Sequence, residues 1–279
     1  MLESLLLKFK GASTGIFTQE SQGLNPFMTE TTLEKQPIRR FDLQRMLSIL
    51  LHPRQTFLAT TAEARPTWLT PMLLLSLTAF LVVLVSGYLR TRAAMLGEIP
   101  LPPDWQYWTP DMQNKYMQAQ QLTQGKVFTY VIPLVGAWSG LWASWIILAG
   151  LLHLGSTLLG GRGSMQNALN VVAWASLPFA VRDMLRIIFM SVVGHAIASP
   201  GLSGFAASAG FFSQLLARLD IFLLWNIILL IIGFAISEGL PRGKALIGVV
   251  AVVILMLVIQ SGSGALIARL SGTVVQRPL

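Results

Sequence analysis

The sequence predicts an all-α integral membrane protein, a five-helix transmembrane bundle preceded by an amphipathic helix that lies in the interface. Three observations predict it. Hydrophobic residues fill 53% of the 279 positions and charged residues only 11%, against about 25% charged in a soluble domain. Five apolar stretches approach or exceed the ~20 residues that a helix needs to cross ~30 Å of hydrocarbon. The basic excess, 20 Lys+Arg against 12 Asp+Glu for a net charge of +8, is scattered beside those stretches. Such flanking charge sets topology and meets acidic lipid headgroups. A nucleic-acid binder would gather it on one soluble face, so no nucleic-acid partner is expected. The bilayer itself is the first partner.

The chain has no cysteine, which excludes disulfides, thiolate zinc sites, iron–sulfur clusters and a cysteine nucleophile. Its three histidines, His52, His153 and His195, are far apart, so neither a metal site nor a cofactor is expected.

Residues 1–36 are polar and broken by Gly11, Gly15, Gly23 and Pro26, which reads as a flexible arm. The apolar patch Leu5 to Leu7 is too short for a signal sequence, so insertion falls to the first span. Residues 37–65 read as the interfacial helix. Leu43, Met46, Leu47 and Leu50 share one helical face, Ile49 and Leu51 widen it, and Arg40, Gln44, Arg45 and Ser48 lie away from it. Pro53 ends that helix and Gln55 to Ala62 resumes it. A basic amphipathic helix ahead of a span lies in the interface.

The membrane domain runs over 66–270, with spans near 68–89, 127–152, 168–193, 219–236 and 245–267, and a tail over 271–279. The first span carries Trp68 and Tyr88 at its ends, where aromatic belts form, and Arg90 and Arg92 close it. The polar loop that follows holds Pro100, Pro102, Pro103, Trp105, Tyr107 and Trp108 and a short helix over Asp111 to Gln124. It reads as a lid on the membrane surface anchored by its aromatics. In the second span Gly136, Gly140 and Ser144 recur every four residues, a small-residue face that lets another helix approach closely. Trp138, Trp142 and Trp145 fall on the other side, toward lipid or a groove. Gly160 to Gly163 make a turn, and Ser164 caps the next helix. With no Lys-Ser/Thr after it and no strand before it, this turn does not match a phosphate loop.

The third span is the unusual one. Pro178 removes a backbone hydrogen bond and breaks or kinks the helix. Arg182 and Arg186 stand one turn apart with Asp183 beside them. Charge in mid-bilayer costs ~3 to more than 10 kcal/mol. Either the three groups pair inside the bundle or in a cavity, or the span stops near Val181 and Met184 to Ile197 forms a separate helix. They are a candidate functional cluster, although a structural ion pair that fixes helix register is the simpler explanation. Arg218 and Asp220 lead the fourth span, and Ser261 to Gly264 loosens the end of the fifth. The Lys/Arg distribution in the short loops orients the N-terminus to the cytoplasm and the C-terminus outside.

Certain joints carry a resemblance. They are LLHPRQTF (Leu50 to Phe57), GGRGSMQNALNVVAWASLPFAV (Gly160 to Val181), DIFLLWNIILLIIGF (Asp220 to Phe234) and PRGKALIGV (Pro241 to Val249). Over roughly Ile38 to Ile267 the chain resembles the Yip family, the Ypt/Rab-interacting membrane proteins, in its prokaryotic form. The resemblance implies a five-helix bundle with a cytoplasmic N-terminal arm, in a bacterial cytoplasmic membrane. It implies a trafficking adaptor of Rab-type GTPases in eukaryotic members, and in some prokaryotic ones a partner of ABC-type export systems. No catalytic residue carries over.

The expected function is therefore a non-enzymatic accessory or scaffold subunit that partners another membrane protein or a second copy of itself. The alternative is a small transporter or channel that uses the broken, charged third span. An enzyme would need a nucleophile–base pair or metal ligands in the bilayer, and no such pair is present.

Overall fold

A computed structural model of the chain describes residues 43–63, 65–98, 101, 105–123, 125–197, 199–206 and 210–272. Among the described residues no strand occurs, and the regular structure is helical throughout. The expected arm over 1–36 and the tail beyond 272 lie outside the described residues.

Helix α1 (Leu43–Leu51) and helix α2 (Pro53–Ala62) meet at His52. Pro53 stands in the first turn of α2, where its missing N–H leaves no bond unmade. The segment expected to lie in the interface packs one side against the bundle. Ile49 and Phe57 are fully buried, whereas Leu47, expected on the apolar seam, is 63% exposed. On α1 Ile49 is buried and Met46 and Leu50 pack partly buried beside it, because neighbouring protein meets that side. Phe57 fits against Gly233, where an added Cβ would overlap Val171 and press on the Phe57 ring.

Helix α3 (Leu69–Met95) continues past its expected end at Leu89, so Arg92 sits in its last turn, where a cation opposes the helix dipole favourably. Helix α4 (Pro110–Thr123) lies in the polar loop. There Trp105, Trp108 and Tyr116 stack on one another with centroids 5.5 to 5.7 Å apart. Gln113 ties them down by donating to the carbonyls of Trp105 and Trp108. On the exposed side of α4, Asp111 pairs with Lys115 at 2.8 Å and raises its pKa above the ordinary 10.5.

A wide turn at Val127–Val131 leads into helix α5 (Ile132–Leu158). Helices α6 (Met165–Ala175) and α7 (Leu177–Val193) make the kinked third element. A short α8 (Phe211–Leu216) precedes α9 (Ile221–Ser237) and α10 (Arg242–Gly272).

Leu69–Met95, Val127–Leu158 and Arg242–Ile267 are each long and apolar enough to cross a membrane on their own. The expected third span maps to the α6–α7 pair and the fourth to α9, which is 17 residues long. The core is centred on α6, where Ala168 and Val171 to Ala175 are all buried against α2, α5 and α9.

Candidate functional site

The site begins at the kink. Helix α6 ends at Ala175, Ser176 is shared by both helices, and Pro178 occupies the first turn of α7. The break therefore falls two residues before the proline, whose absent N–H leaves a carbonyl of the preceding turn without a donor. The exposed carbonyls are met from elsewhere. Asn226 of α9, 2% exposed, donates its Nδ2 to the Ala175 carbonyl at 2.8 Å. Ser176 Oγ donates to the Val172 carbonyl at 2.7 Å. An unpaired carbonyl at this depth would cost about 1–3 kcal/mol, so Asn226 fixes the position of the kink.

Beyond the kink, α7 runs unbroken through Arg182, Asp183 and Arg186. The alternative with a separate helix from Met184 is not what the chain adopts. Arg182 donates from Nε to Asp183 Oδ1 at 3.3 Å and from Nη1 to Asp220 Oδ2 at 3.4 Å. Arg186 Nη1 stands 3.8 Å from Asp183 Oδ1. The Arg182 guanidinium lies over the Phe179 ring, 4.8 Å from its centroid, an attractive placement for a cation. Asp220 also caps α9 by accepting from the Leu223 N–H at 2.8 Å. Arg218, two residues earlier, donates to Gln260 Oε1 of α10 at 2.8 Å. Burial and then the neighbouring Arg182 charge lower the Arg218 pKa below the ordinary arginine range, and it stays protonated at any physiological pH.

Sequence reasoning placed Arg182, Asp183 and Arg186 together but missed Asp220 and Arg218 as members of the same group. A signal existed. Equal lengths of antiparallel helix, about 18 residues, separate Arg182 and Asp220 from the turns at the opposite end, and a rise of 1.5 Å per residue brings both to one level.

A second ionic site lies at that opposite end. The Glu238 side chain is 0% exposed. Its Oε2 accepts from the Gly163 N–H at 2.9 Å, and His153 Nδ1 lies 3.3 Å from its Oε1. The Glu238 carbonyl accepts from the Arg162 N–H at 3.0 Å. An added Cβ at Gly161 or Gly163 would run into the carboxylate. Gly160, at φ +93°, makes the turn that aims those amides. The glycine turn rejected as a phosphate loop does hold an anion, namely the chain's own carboxylate. Lys244 Nζ donates to the Leu159 carbonyl at 3.0 Å, so α5, α6, α9 and α10 are clasped here.

A third polar anchor ties α3 to α6. Asn170, 1% exposed, accepts from the N–H groups of Thr67 and Trp68 at 2.9 and 3.2 Å and donates to the Arg65 carbonyl at 3.3 Å. Trp174 Nε1 donates to Thr67 Oγ1 at 3.0 Å. The first N–H groups of a helix lack intrahelical partners, and here a residue from another helix supplies one.

Gly136, Gly140 and Ser144, expected as a packing face, are placed otherwise. Gly136 and Gly140 are exposed, and a Cβ at either would meet nothing within 4 Å. Inside the chain α5 packs through its tryptophans. Trp145 donates to the Leu169 carbonyl at 3.0 Å and Trp142 to Ser76 Oγ at 3.2 Å. Both rings lie against Trp68. The broad indole surfaces bury more area than the glycines offer, so the small-residue face turns outward. Among the described residues no group of three His, Cys, Asp or Glu is placed to hold a metal.

These helices and their caps define an all-helical, multi-pass membrane protein. The chain belongs to the Yip1 family: residues 47–262 match the family model of the Yip1 domain. It is also similar to an uncharacterized protein of Methanocaldococcus jannaschii, 25% identical over 145 residues, which is 52% of this chain and 87% of that one. No solved structure matches the chain.

Proposed function

We propose that this Yip1-family protein is a non-enzymatic accessory or scaffold subunit that crosses the membrane five times with its N-terminus in the cytoplasm. It works by contact with another membrane protein, an ABC-type export system being one candidate, or with a second copy of itself. One observation supports this most. Three of the most buried polar side chains are engaged in holding helix ends: Asn170 on α3, Asn226 on the kink and Glu238 on the glycine turn. Of the three long apolar helices α5 is the least buried, with 6% of its most apolar stretch buried against 28% for α3 and 33% for α10. Affinity purification of the full chain from native membranes tests this. A stoichiometric membrane partner or a self-complex is expected, and a lone monomer under gentle extraction overturns it.

A second reading, a small transporter, draws on the kink beside half-open ionic groups, since discontinuous helices build ion and substrate sites. Absence of flux from proteoliposomes, or flux that Arg182→Ala leaves unchanged, overturns that reading.

A further inference from the structure

The ionic group at the head of α9 has more positive than negative charge. Arg182 and Arg186 contact Asp183 and Asp220, and Arg218, bound to Gln260, stands two residues before Asp220, so the neighbourhood carries a net charge of +1. Arg182 contacts both carboxylates, which leaves Arg186 with a single contact, to Asp183 at 3.8 Å. That is too long for a hydrogen bond. Arg218 Nε is buried with no partner, although its other nitrogens reach Gln260. That nitrogen is shut away, whereas the Arg186 guanidinium, a quarter exposed, is open to an anion that would supply the bond it lacks.

The surroundings are greasy. Met184 and Leu185, beside Asp183 and Arg186 on α7, are 48% and 51% exposed, and Ile221 and Leu224 on α9 are 72% and 61% exposed. A soluble anion has no use for such a rim, but an anion that carries acyl chains does. Depth fits as well. Helix α9 spans 17 residues, about 26 Å at 1.5 Å per residue. That nears the ~30 Å of hydrocarbon, so ionic groups at its two ends fall near the two headgroup levels. The clasp at Glu238 is closed, whereas the cluster at Asp220 is open at the side.

We propose that Arg186, with Arg182 behind it, seats the phosphodiester of an acidic phospholipid beside the head of α9. The excess of one positive charge matches the single negative charge of that headgroup. The site is independent of the scaffold reading, because it concerns lipid and not a protein partner.

The test uses the full chain in a neutral detergent. It is titrated separately with phosphatidylglycerol, phosphatidylcholine and inorganic phosphate, the unfolding midpoint is followed, and retained lipid is counted by native mass spectrometry. Phosphatidylglycerol is expected to raise the midpoint and to remain as one bound molecule, while the other two leave it unmoved. Arg186→Gln should require about tenfold more lipid, which corresponds to the ~1.4 kcal/mol of a weakened charge-assisted bond. Asp183→Asn removes a negative charge and should tighten binding. Should Arg186→Gln not fold, Asp183→Asn still decides, since unchanged or weaker binding overturns the site. Identical titrations for all three proteins mean annular lipid only. An equal response to inorganic phosphate means a soluble anion. Either result overturns the proposal.

Discussion

Two carboxylate sites at opposite ends of α9 are built differently. Glu238 is sealed from solvent and bound by a backbone amide of the glycine turn, with one histidine beside it. Asp183 and Asp220 keep 13% side-chain exposure each and are bound by long arginines that are about a quarter exposed. Backbone donors cost no side-chain entropy and cannot swing away, so the first site serves only the fold. Arginine forks must be ordered and can exchange partners, so the second site can take a ligand at little structural cost. Burial and donor type, rather than the presence of charge, separate a clasp from a site.

The sharpest way to break this contrast is Gly163→Ala. The new methyl meets the Glu238 carboxylate, which neighbouring backbone holds in place. Destabilisation of about 3 kcal/mol is expected, the upper range for overpacking, read as a lower unfolding midpoint in detergent. Wild-type stability would mean that the carboxylate moves freely and that the clasp is no clasp. Next comes Asn170→Ala. It leaves the Thr67 and Trp68 amides and the Arg65 carbonyl without their partner. About 2 kcal/mol should be lost, and hydrogen exchange should rise at the start of α3 before it rises elsewhere.

Much of the helical architecture was legible from apolar length alone, because a bilayer admits so few solutions. The Arg182–Asp183 pairing was legible for the same reason, since neighbouring opposite charges in an apolar helix have little else to do. What was not legible was which helix faces which. Asn170 and Thr67 lie 103 residues apart, and nothing in either segment names the other. Glu238 sits in a stretch that reads as an ordinary turn, SEGLPRG. Its partner glycines looked like a loop with no ligand. No helix of this chain meets the two glycines of the small-residue stripe among the described residues, because spacing identifies a face but not its occupant. Trp142 and Trp145 won the interior on area.

At the open site the effect on stability should be smaller. Arg182→Gln removes two contacts of 3.3 and 3.4 Å from a side chain that is 24% exposed. Contacts this long, from a side chain that keeps a quarter of its surface open, are worth about 1 kcal/mol, so the midpoint should fall by only about 2–4 °C. A loss as large as that of Gly163→Ala would erase the distinction between the two ends.

The smallest effect on the isolated chain belongs to Gly140→Leu. The site is open and helical, and a Cβ there meets nothing within 4 Å among the described residues. Leucine also improves helix propensity over glycine by almost 1 kcal/mol. The midpoint should therefore hold or rise slightly. If α5 packs against a partner through this stripe, the same leucine must hold that helix off, since close approach depends on small residues. Recovery of the partner from native membranes should then fall while the bundle stays intact. A Trp145→Ala variant separates the two surfaces. It cuts the inward contacts of α5 with Trp68 and Leu169 and should weaken the bundle itself. Equal partner recovery with wild type and Gly140→Leu would mean that the outward face of α5 meets only lipid.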